Sequence, residues 1–94
     1  MPEKTLKLLS TLRDIVGRKE LIIPVENGQS IREMIDVIIT IHPALGQKIM
    51  DESGELTGLV HFLVNGRNIM WLQGLDTILT DNDDMILLPP TAGG

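Results

Sequence analysis

The stretch SIREMIDVIITIHP, residues 30–43, decides the fold. Its first four residues match a capping box, in which the Ser30 hydroxyl accepts from the Glu33 amide and the Glu33 carboxylate accepts from the Ser30 amide. Pro43 ends the predicted helix after His42. Apolar side chains recur within it every three or four residues and form a single stripe: Ile31, Met34, Ile35, Ile38 and Ile39. A helix with one apolar face needs one sheet to cover it.

Two strands are predicted before this helix. Residues 5–9 and 20–25 are rich in aliphatic side chains, and the segment between them, residues 11–17, reverses the chain into a hairpin. Pro24 has no N–H group to donate to a neighbouring strand, which favours an edge position for the second strand. Asn27 and Gly28 supply the turn that ends it.

Three more strands are predicted after the helix. A shorter helical turn over residues 44–50 and a polar loop over residues 51–55 come first. The strands then occupy residues 59–64, 69–72 and 85–88, of which the second is the weakest. Asn65-Gly66 is a tight-turn signal, and residues 73–79 favour a short helical turn.

This order of elements predicts an α+β domain in which one main helix lies across one face of a mixed sheet of four to five strands. With the last strand beside the first, the connectivity is that of the ubiquitin-like β-grasp fold. We expect residues 1–88 to form this domain and residues 89–94 to form an extended, flexible C-terminal tail.

The six residues after the last strand are unsuited to a core. The two prolines fix φ at about −65° and favour an extended stalk. Ala92-Gly93-Gly94 has almost no side-chain volume, so another protein's backbone is able to close around it. The distinctive reactive group of this tail is the α-carboxylate of Gly94, and the alternative explanation is a frayed end that finishes in glycine by chance.

Composition argues against several classes of function. Among 94 residues, 13 acidic and 8 basic side chains give a net charge of −5, which opposes binding to nucleic acid and to anionic membranes. One Trp, one Phe and no Tyr leave no set of aromatic platforms for unpaired bases. The absence of Cys removes thiol nucleophiles and thiolate metal sites, and it fits a cytoplasmic protein. No signal peptide or membrane span is expected.

No metal site and no catalytic group are predicted. His42 and His61 have no cysteine or helix-spaced carboxylate beside them, and His61 is best explained as the polar-facing member of a strand. The acidic cluster lacks the glycine and the distant glutamate of a calcium-binding EF-hand loop, so we interpret it as a solvated turn. Its members are Asp81, Asp83 and Asp84.

Motifs spread over nearly the whole chain match a known family. They occupy residues 12–17, 30–31, 64–66, 74–77, 79–84 and 89–94, and the closing Pro-Pro-Thr-Ala-Gly-Gly is the specific one. On these motifs the sequence resembles the MoaD-like proteins, the small sulfur carriers of molybdopterin synthase, and the small archaeal ubiquitin-like modifiers. It departs from them at Asn82, at Leu87-Leu88 before the prolines, and in extra length around residues 46–58.

The resemblance implies a protein co-substrate with no catalytic residue and no bound cofactor. An E1-like adenylyltransferase would use MgATP to adenylate the Gly94 carboxylate, and a sulfur donor would displace AMP to leave a thiocarboxylate. The sulfur would pass to a molybdopterin precursor, through the large subunit of molybdopterin synthase, or to a tRNA base. Alternatively, a lysine of a substrate protein would attack the activated carbonyl and become isopeptide-linked. All these routes use one tail and stay open, with its recognition assigned to Pro89, Pro90, Thr91, Ala92 and Gly93.

Two leucines are candidates for an exposed docking patch. If Leu6 and Leu8 face the core, alternation turns Leu9 outward, and Leu88 flanks the tail on a similar face. Simple core packing of both leucines is the alternative.

Three further side chains have two readings each. Arg13 and Arg67 either pair with acidic residues of a partner or are ordinary exposed arginines. Trp71 either anchors an interface or completes the core.

A competing function is a β-grasp interaction module whose Gly-Gly tail is incidental. Removal of Gly93 and Gly94 separates this reading from the carrier reading. A free-standing enzyme is disfavoured, because no nucleophile, base and orienting group can be assembled from these residues.

Overall fold

The computed structural model describes residues 3–81 and 83–89. Its strands are β1 Lys4–Leu8, β2 Glu20–Ile23, β3 His61–Val64, β4 Arg67–Asn68 and β5 Met85–Leu88. Its α-helices are α1 Thr11–Val16, α2 Ile31–Ile41 and α3 Pro43–Ile49, and two single-turn 3-10 helices follow at Ile69–Trp71 and Gly74–Asp76. Within this part of the chain, no helix has the length and apolar character needed to cross a membrane.

The five strands form one mixed sheet in the order β2-β1-β5-β3-β4. β1 pairs antiparallel with β2 and parallel with β5, and β5 pairs antiparallel with β3. The sequence-based α+β class and the placement of the last strand beside the first are therefore confirmed. β2 lies at an edge of the sheet and ends at Ile23, so Pro24 follows the strand, where its missing N–H group breaks no ladder bond.

The main helix α2 begins as its sequence predicts. The Glu33 amide donates to the Ser30 hydroxyl at 3.2 Å, and the Ser30 amide donates to the Glu33 carboxylate at 3.2 Å. Ile31, Met34, Ile35 and Ile38 are buried along one face, whereas Ile39, which the periodicity also placed in this stripe, is 38% exposed. The buried face packs into a core that the sheet supplies with Leu6, Leu8, Leu21, Ile23, Phe62, Val64, Met85 and Leu87.

The second short helix lies close against the first. α3 begins directly at Pro43, a position where a missing N–H group costs no helical hydrogen bond, and it buries Leu45, Gly46 and Ile49. A Cβ added at Gly46 would lie 2.6 Å from Cγ1 and 2.8 Å from Cα of Ile39. Glycine is therefore required where the backbones of α2 and α3 meet, and the helical turn predicted over residues 44–50 is confirmed.

The predicted strand over residues 69–72 is wrong. The ladder after the Asn65-Gly66 turn is only two residues long, Arg67–Asn68, and a 3-10 helix follows it. The Asn68 side-chain oxygen accepts from the Met70 amide at 2.9 Å, so a local cap takes the backbone out of the sheet.

Predicted strand boundaries also change: the strand expected over residues 5–9 is Lys4–Leu8, and the strand expected over residues 20–25 ends at Ile23. The strand expected over residues 59–64 begins at His61. The reversal over residues 11–17 contains the six-residue helix α1, which ends at Gly17 in the left-handed conformation with φ 80°.

Candidate functional site

The strand that precedes the predicted tail, β5, lies at the centre of the sheet. β5 is hydrogen-bonded to β1 on one side and to β3 on the other, with Leu87 opposite both Leu8 and Phe62. Pro89 is half-buried and is the last residue described. The other predicted tail residues, Pro90, Thr91, Ala92, Gly93 and Gly94, lie outside the described residues, and their roles and the boundary at residue 88 stay predictions. The two flanking strands fix the position of Pro89, where the predicted tail begins, and we call this position the exit point.

The two leucines of the predicted docking patch lie beside this exit point. Leu8 pairs with Leu87, and the next amide, that of Leu9, donates to the Leu87 carbonyl at 3.1 Å. Leu9 is 44% exposed and Leu88 is half-buried. Both therefore belong to the sheet surface that faces away from α2, and their role in docking stays a prediction.

The rest of this outer surface is mixed in character. Lys7, Ile86 and Leu63 lie in one row across β1, β5 and β3, and His61 lies opposite Leu88 in the next row. The ring Nδ1 of His61 is 3.0 Å from the side-chain nitrogen of Asn68. The prediction that His61 is the polar-facing member of a strand is confirmed.

The turn between β1 and α1 places a strained residue next to Leu9. Ser10 has φ 55° and ψ −131°, a backbone conformation that residues other than glycine rarely adopt. Its side chain makes no capping hydrogen bond to α1. This turn directs the chain from the outer end of β1 into α1 and fixes where Leu9 lies relative to the exit point.

The two candidate arginines are not brought together. Arg13 lies on α1, near the β1 and β2 side of the sheet, whereas Arg67 lies on β4 at the opposite edge. Both are exposed. Arg13 instead lines an open groove of about 740 Å³ with Lys7, Arg18 and Lys19. Arg18 and Lys19 carry no site signal in the sequence, because adjacent charged residues in a turn are usually only solvated.

Trp71 lies outside the core. Its side chain is 84% exposed and that of the preceding Met70 is 68% exposed, so core packing is excluded for both. Asn68 is the residue in the sequence that could have predicted this position, because its side chain favours a helix cap over a continuing strand and so takes Trp71 out of the sheet.

The acidic segment forms a hydrogen-bonded turn, as its composition predicts. The Asp83 carboxylate accepts from the Thr80 amide at 2.6 Å and from the Thr80 hydroxyl at 2.8 Å. The side-chain amide of Asn65 also donates to it at 3.2 Å, and the Asn65 side-chain oxygen accepts from the backbone amide of Asp84 at 2.9 Å. Across residues 3–81 and 83–89, no three His, Asp or Glu side chains are grouped to hold a metal ion.

Comparison with known proteins identifies the family. The model of the ThiS family matches residues 6–94, which includes the segment that carries the Gly-Gly end. The chain belongs to the ThiS family. Members of this family are small ubiquitin-like carrier proteins and not catalysts. The resemblance inferred from the sequence motifs, to MoaD-like proteins and small archaeal modifiers, is thereby confirmed.

Two relatives of this ThiS-family chain differ in the function that their names give. It is 30% identical over 92 residues to small archaeal modifier protein 3 of Haloferax volcanii, covering 98% of this chain and 99% of that protein. It is 29% identical over 70 residues to the sulfur carrier protein CysO of Mycobacterium tuberculosis, covering 72% of this chain and 75% of that protein. The family thus includes both protein modifiers and sulfur carriers.

Solved structures confirm the ubiquitin-like β-grasp fold. The solution structure of small archaeal modifier protein 1 from Methanosarcina acetivorans matches with a TM-score of 0.78 and 36% identity, covering 100% of this chain and 98% of that chain. A chain in the crystal structure of the Amycolatopsis orientalis BexX/CysO complex matches with a TM-score of 0.73 and 27% identity, covering 96% and 98%. In that complex the related chain was crystallised with a partner protein.

Proposed function

We propose that this ThiS-family protein carries sulfur on the carboxylate of Gly94. An E1-like adenylyltransferase binds the tail, and a carboxylate oxygen of Gly94 attacks the α-phosphate of MgATP and releases pyrophosphate. A sulfur donor then attacks the acyl-adenylate, AMP leaves, and the tail ends in a thiocarboxylate. The acceptor is a molybdopterin precursor bound to the large subunit of molybdopterin synthase, or a tRNA base.

One observation carries this proposal, namely the match to the ThiS family through residue 94. The tail chemistry agrees with it, because a carboxylate is a poor electrophile and adenylation supplies the leaving group that the sulfur donor displaces. The side chains of residues 92–94 are small enough to enter a narrow channel in an activating enzyme.

The position of β5 supports a role for the domain in docking to the activating enzyme. An activating enzyme that holds the tail lies close to Leu9 and Leu88, because both leucines flank the point where the tail begins. In this proposal the two leucines form the docking patch. They supply apolar contact area while the tail extends into the active site of the partner.

A second candidate is protein conjugation through the same glycine. It is favoured by the near-complete match to a small archaeal modifier protein, 98% of this chain and 99% of that protein. In this route the amine of a substrate lysine attacks the activated Gly94 carbonyl, AMP leaves, and an isopeptide bond forms. The first chemical step is the same in both routes.

Intact-mass spectrometry of the C-terminal peptide distinguishes the candidates. The protein is purified from its native host without reducing steps that strip sulfur. Sulfur carriage predicts a mass increase equal to the exchange of one oxygen for sulfur at Gly94, and the species is converted to an adduct by a thiocarboxylate-reactive alkylator. Conjugation predicts an unmodified Gly94 in the free protein and, on lysines of other proteins, an isopeptide-linked C-terminal fragment of this chain that ends in Gly93-Gly94.

The matched control is a variant in which one alanine is appended after Gly94. It keeps the fold, the docking patch and the charge of the terminus, but it displaces the carboxylate from the adenylation site. We expect both signals to disappear in this variant. Three results would contradict the proposal and favour the interaction module. The wild-type protein would show neither signal, or its natural C-terminal peptide would extend past Gly94. Alternatively, deletion of Gly93 and Gly94 would leave partner binding and the cell phenotype unchanged.

A further inference from the structure

An open groove lies between the outer end of β1, α1 and the start of β2. It has a volume of about 740 Å³. The chain enters β2 there through Gly17, whose left-handed conformation ends α1 and turns Arg18 and Lys19 back towards the sheet. The amide of Leu8 donates to the Lys19 carbonyl at 2.8 Å, so the wall of the groove is fixed to the sheet.

Positive charge is concentrated in this groove. Four of the eight basic residues of the chain line it, although the protein as a whole has a net charge of −5. They are Lys7, Arg13, Arg18 and Lys19. Lys7 is paired with Asp84 at 3.2 Å, but within the described part of the chain the other three form no ion pair. The side chains of Arg13, Arg18 and Lys19 are therefore exposed to solvent and available to an anionic partner.

The remaining lining distinguishes between classes of anionic ligand. Leu9 and Ile22 line the groove and are 44% and 48% exposed, so it offers aliphatic as well as cationic contacts. No aromatic side chain lines it, and Glu20 adds a carboxylate that would repel a phosphate backbone. An extended peptide in which acidic and aliphatic residues alternate matches this lining, because successive side chains point to opposite sides, so that one row faces the cationic groups and the other faces the aliphatic ones.

We propose that the groove binds an acidic peptide segment of a partner protein. Carboxylates of the segment contact Arg13, Arg18 and Lys19, and an aliphatic side chain of the segment packs on Leu9 and Ile22. The groove shares Leu9 with the docking patch but extends away from the tail, towards the edge strand β2. Binding of the segment does not require Gly94, so it is independent of the carrier proposal.

A synthetic peptide tests the proposal on the full chain. The probe is a fluorescein-labelled nonapeptide in which glutamate and leucine alternate, and binding is measured by fluorescence anisotropy at low and physiological salt. We expect saturable binding that weakens with salt. A peptide with glutamine in place of every glutamate should not bind, and equal binding of the two peptides would overturn the proposal.

Two double variants with the same change in net charge localise the interaction. Arg18→Glu with Lys19→Glu reverses two groove charges, and Lys48→Glu with Arg67→Glu reverses two exposed charges elsewhere. We expect about tenfold weaker binding for the groove variant and less than about twofold for the control. Equal weakening in both would mean attraction to net charge alone and would refute the groove.

Chemical-shift mapping on ¹⁵N-labelled wild-type protein keeps the test decisive if the groove variant fails to fold. Shifts confined to residues 7–22 support the proposal, and shifts elsewhere or none at millimolar peptide overturn it. An oligouridine that binds the groove more tightly than the acidic peptide would assign it to nucleic acid instead. Deletion of Gly93 and Gly94 should leave peptide binding unchanged, whereas it abolishes thiocarboxylate formation.

Discussion

The substitution Gly46→Ala tests the packing of α2 against α3. An ideal Cβ at this position would lie 2.6 Å from Cγ1 and 2.8 Å from Cα of Ile39. The second contact is with backbone, so a change of side-chain rotamer does not relieve it and the two helices have to separate. Overpacking of this kind costs about 1–3 kcal/mol, and a backbone clash belongs at the upper end of that range.

The helix propensity of alanine opposes this cost. Alanine in a helix interior is favoured over glycine by about 1 kcal/mol, which leaves a net destabilisation of about 2 kcal/mol for Gly46→Ala. For a domain of this size, such a change lowers the melting temperature by on the order of 10 °C. Thermal and urea unfolding, followed by circular dichroism, measure both quantities.

Two further variants check the cause of the loss. Ala44→Gly lies on the exposed side of the same helix and should cost only the glycine penalty, about 0.5–1 kcal/mol, with no effect on packing. Ile39→Ala removes Cγ1 but keeps Cα, so combined with Gly46→Ala it should restore only part of the loss. A Gly46→Ala protein as stable as the wild type would refute the argument, because it would show that α3 moves away at no cost.

Two other predictions concern the start of α2 and the turn beside the docking patch. Hydrogen bonds from the Gln29 side chain and the Ser30 amide lower the pKa of Glu33 below its ordinary 4.5, because they favour the carboxylate in the folded state. The resulting stability is present above pH 4.5 and is lost as the pH falls through the lowered pKa of the folded state. Glu33→Gln should therefore flatten the acid side of the melting-temperature profile, and an unchanged profile would show that the cap carries no charge-dependent stability. Ser10→Gly should raise the free energy of unfolding by roughly 1 kcal/mol, because relief of about 1–3 kcal/mol of strain exceeds the entropy penalty of glycine, about 0.5–1 kcal/mol. A loss of stability in urea unfolding would show that Ser10 is not strained.

The fold could be predicted where local chemistry and packing favour the same structure. Residues 30–43 combine a capping box, an apolar stripe and a proline stop. The structure has a helix there that begins at the capping box, buries four of the five stripe residues and ends before Pro43. The strand predicted over residues 69–72 is wrong because it rested on hydrophobic composition alone. One polar side chain, Asn68, forms a local cap that an apolar pattern does not register.

Only those features of the site that are local in the sequence could be predicted. The Gly-Gly end and the outward turn of Leu9 follow from composition and from strand alternation. The cationic groove is different, because Lys7 and Arg13 come together with Arg18 and Lys19 only through the pairing of β1 with β2 and the presence of α1. A sequence with a net charge of −5 gives no hint that half of its basic residues share one groove.

The parallel pairing of β5 with β1 explains why the exit point, the docking patch and the groove lie at one end of the sheet. Leu87 pairs with Leu8, so β5 ends where β1 ends, and α1 returns the chain to the same end before β2 starts opposite Lys7. If β5 ran antiparallel to β1, its last residue would lie about 10 Å away, at the other end of a four-residue strand. A partner that held the tail would then lie far from Leu9 and from the groove. Parallel pairing instead allows one partner to bind the tail, cover Leu9 and Leu88, and present acidic side chains to Arg18 and Lys19 at the same time. Such a combined contact discriminates between partners better than the short Gly-Gly end alone.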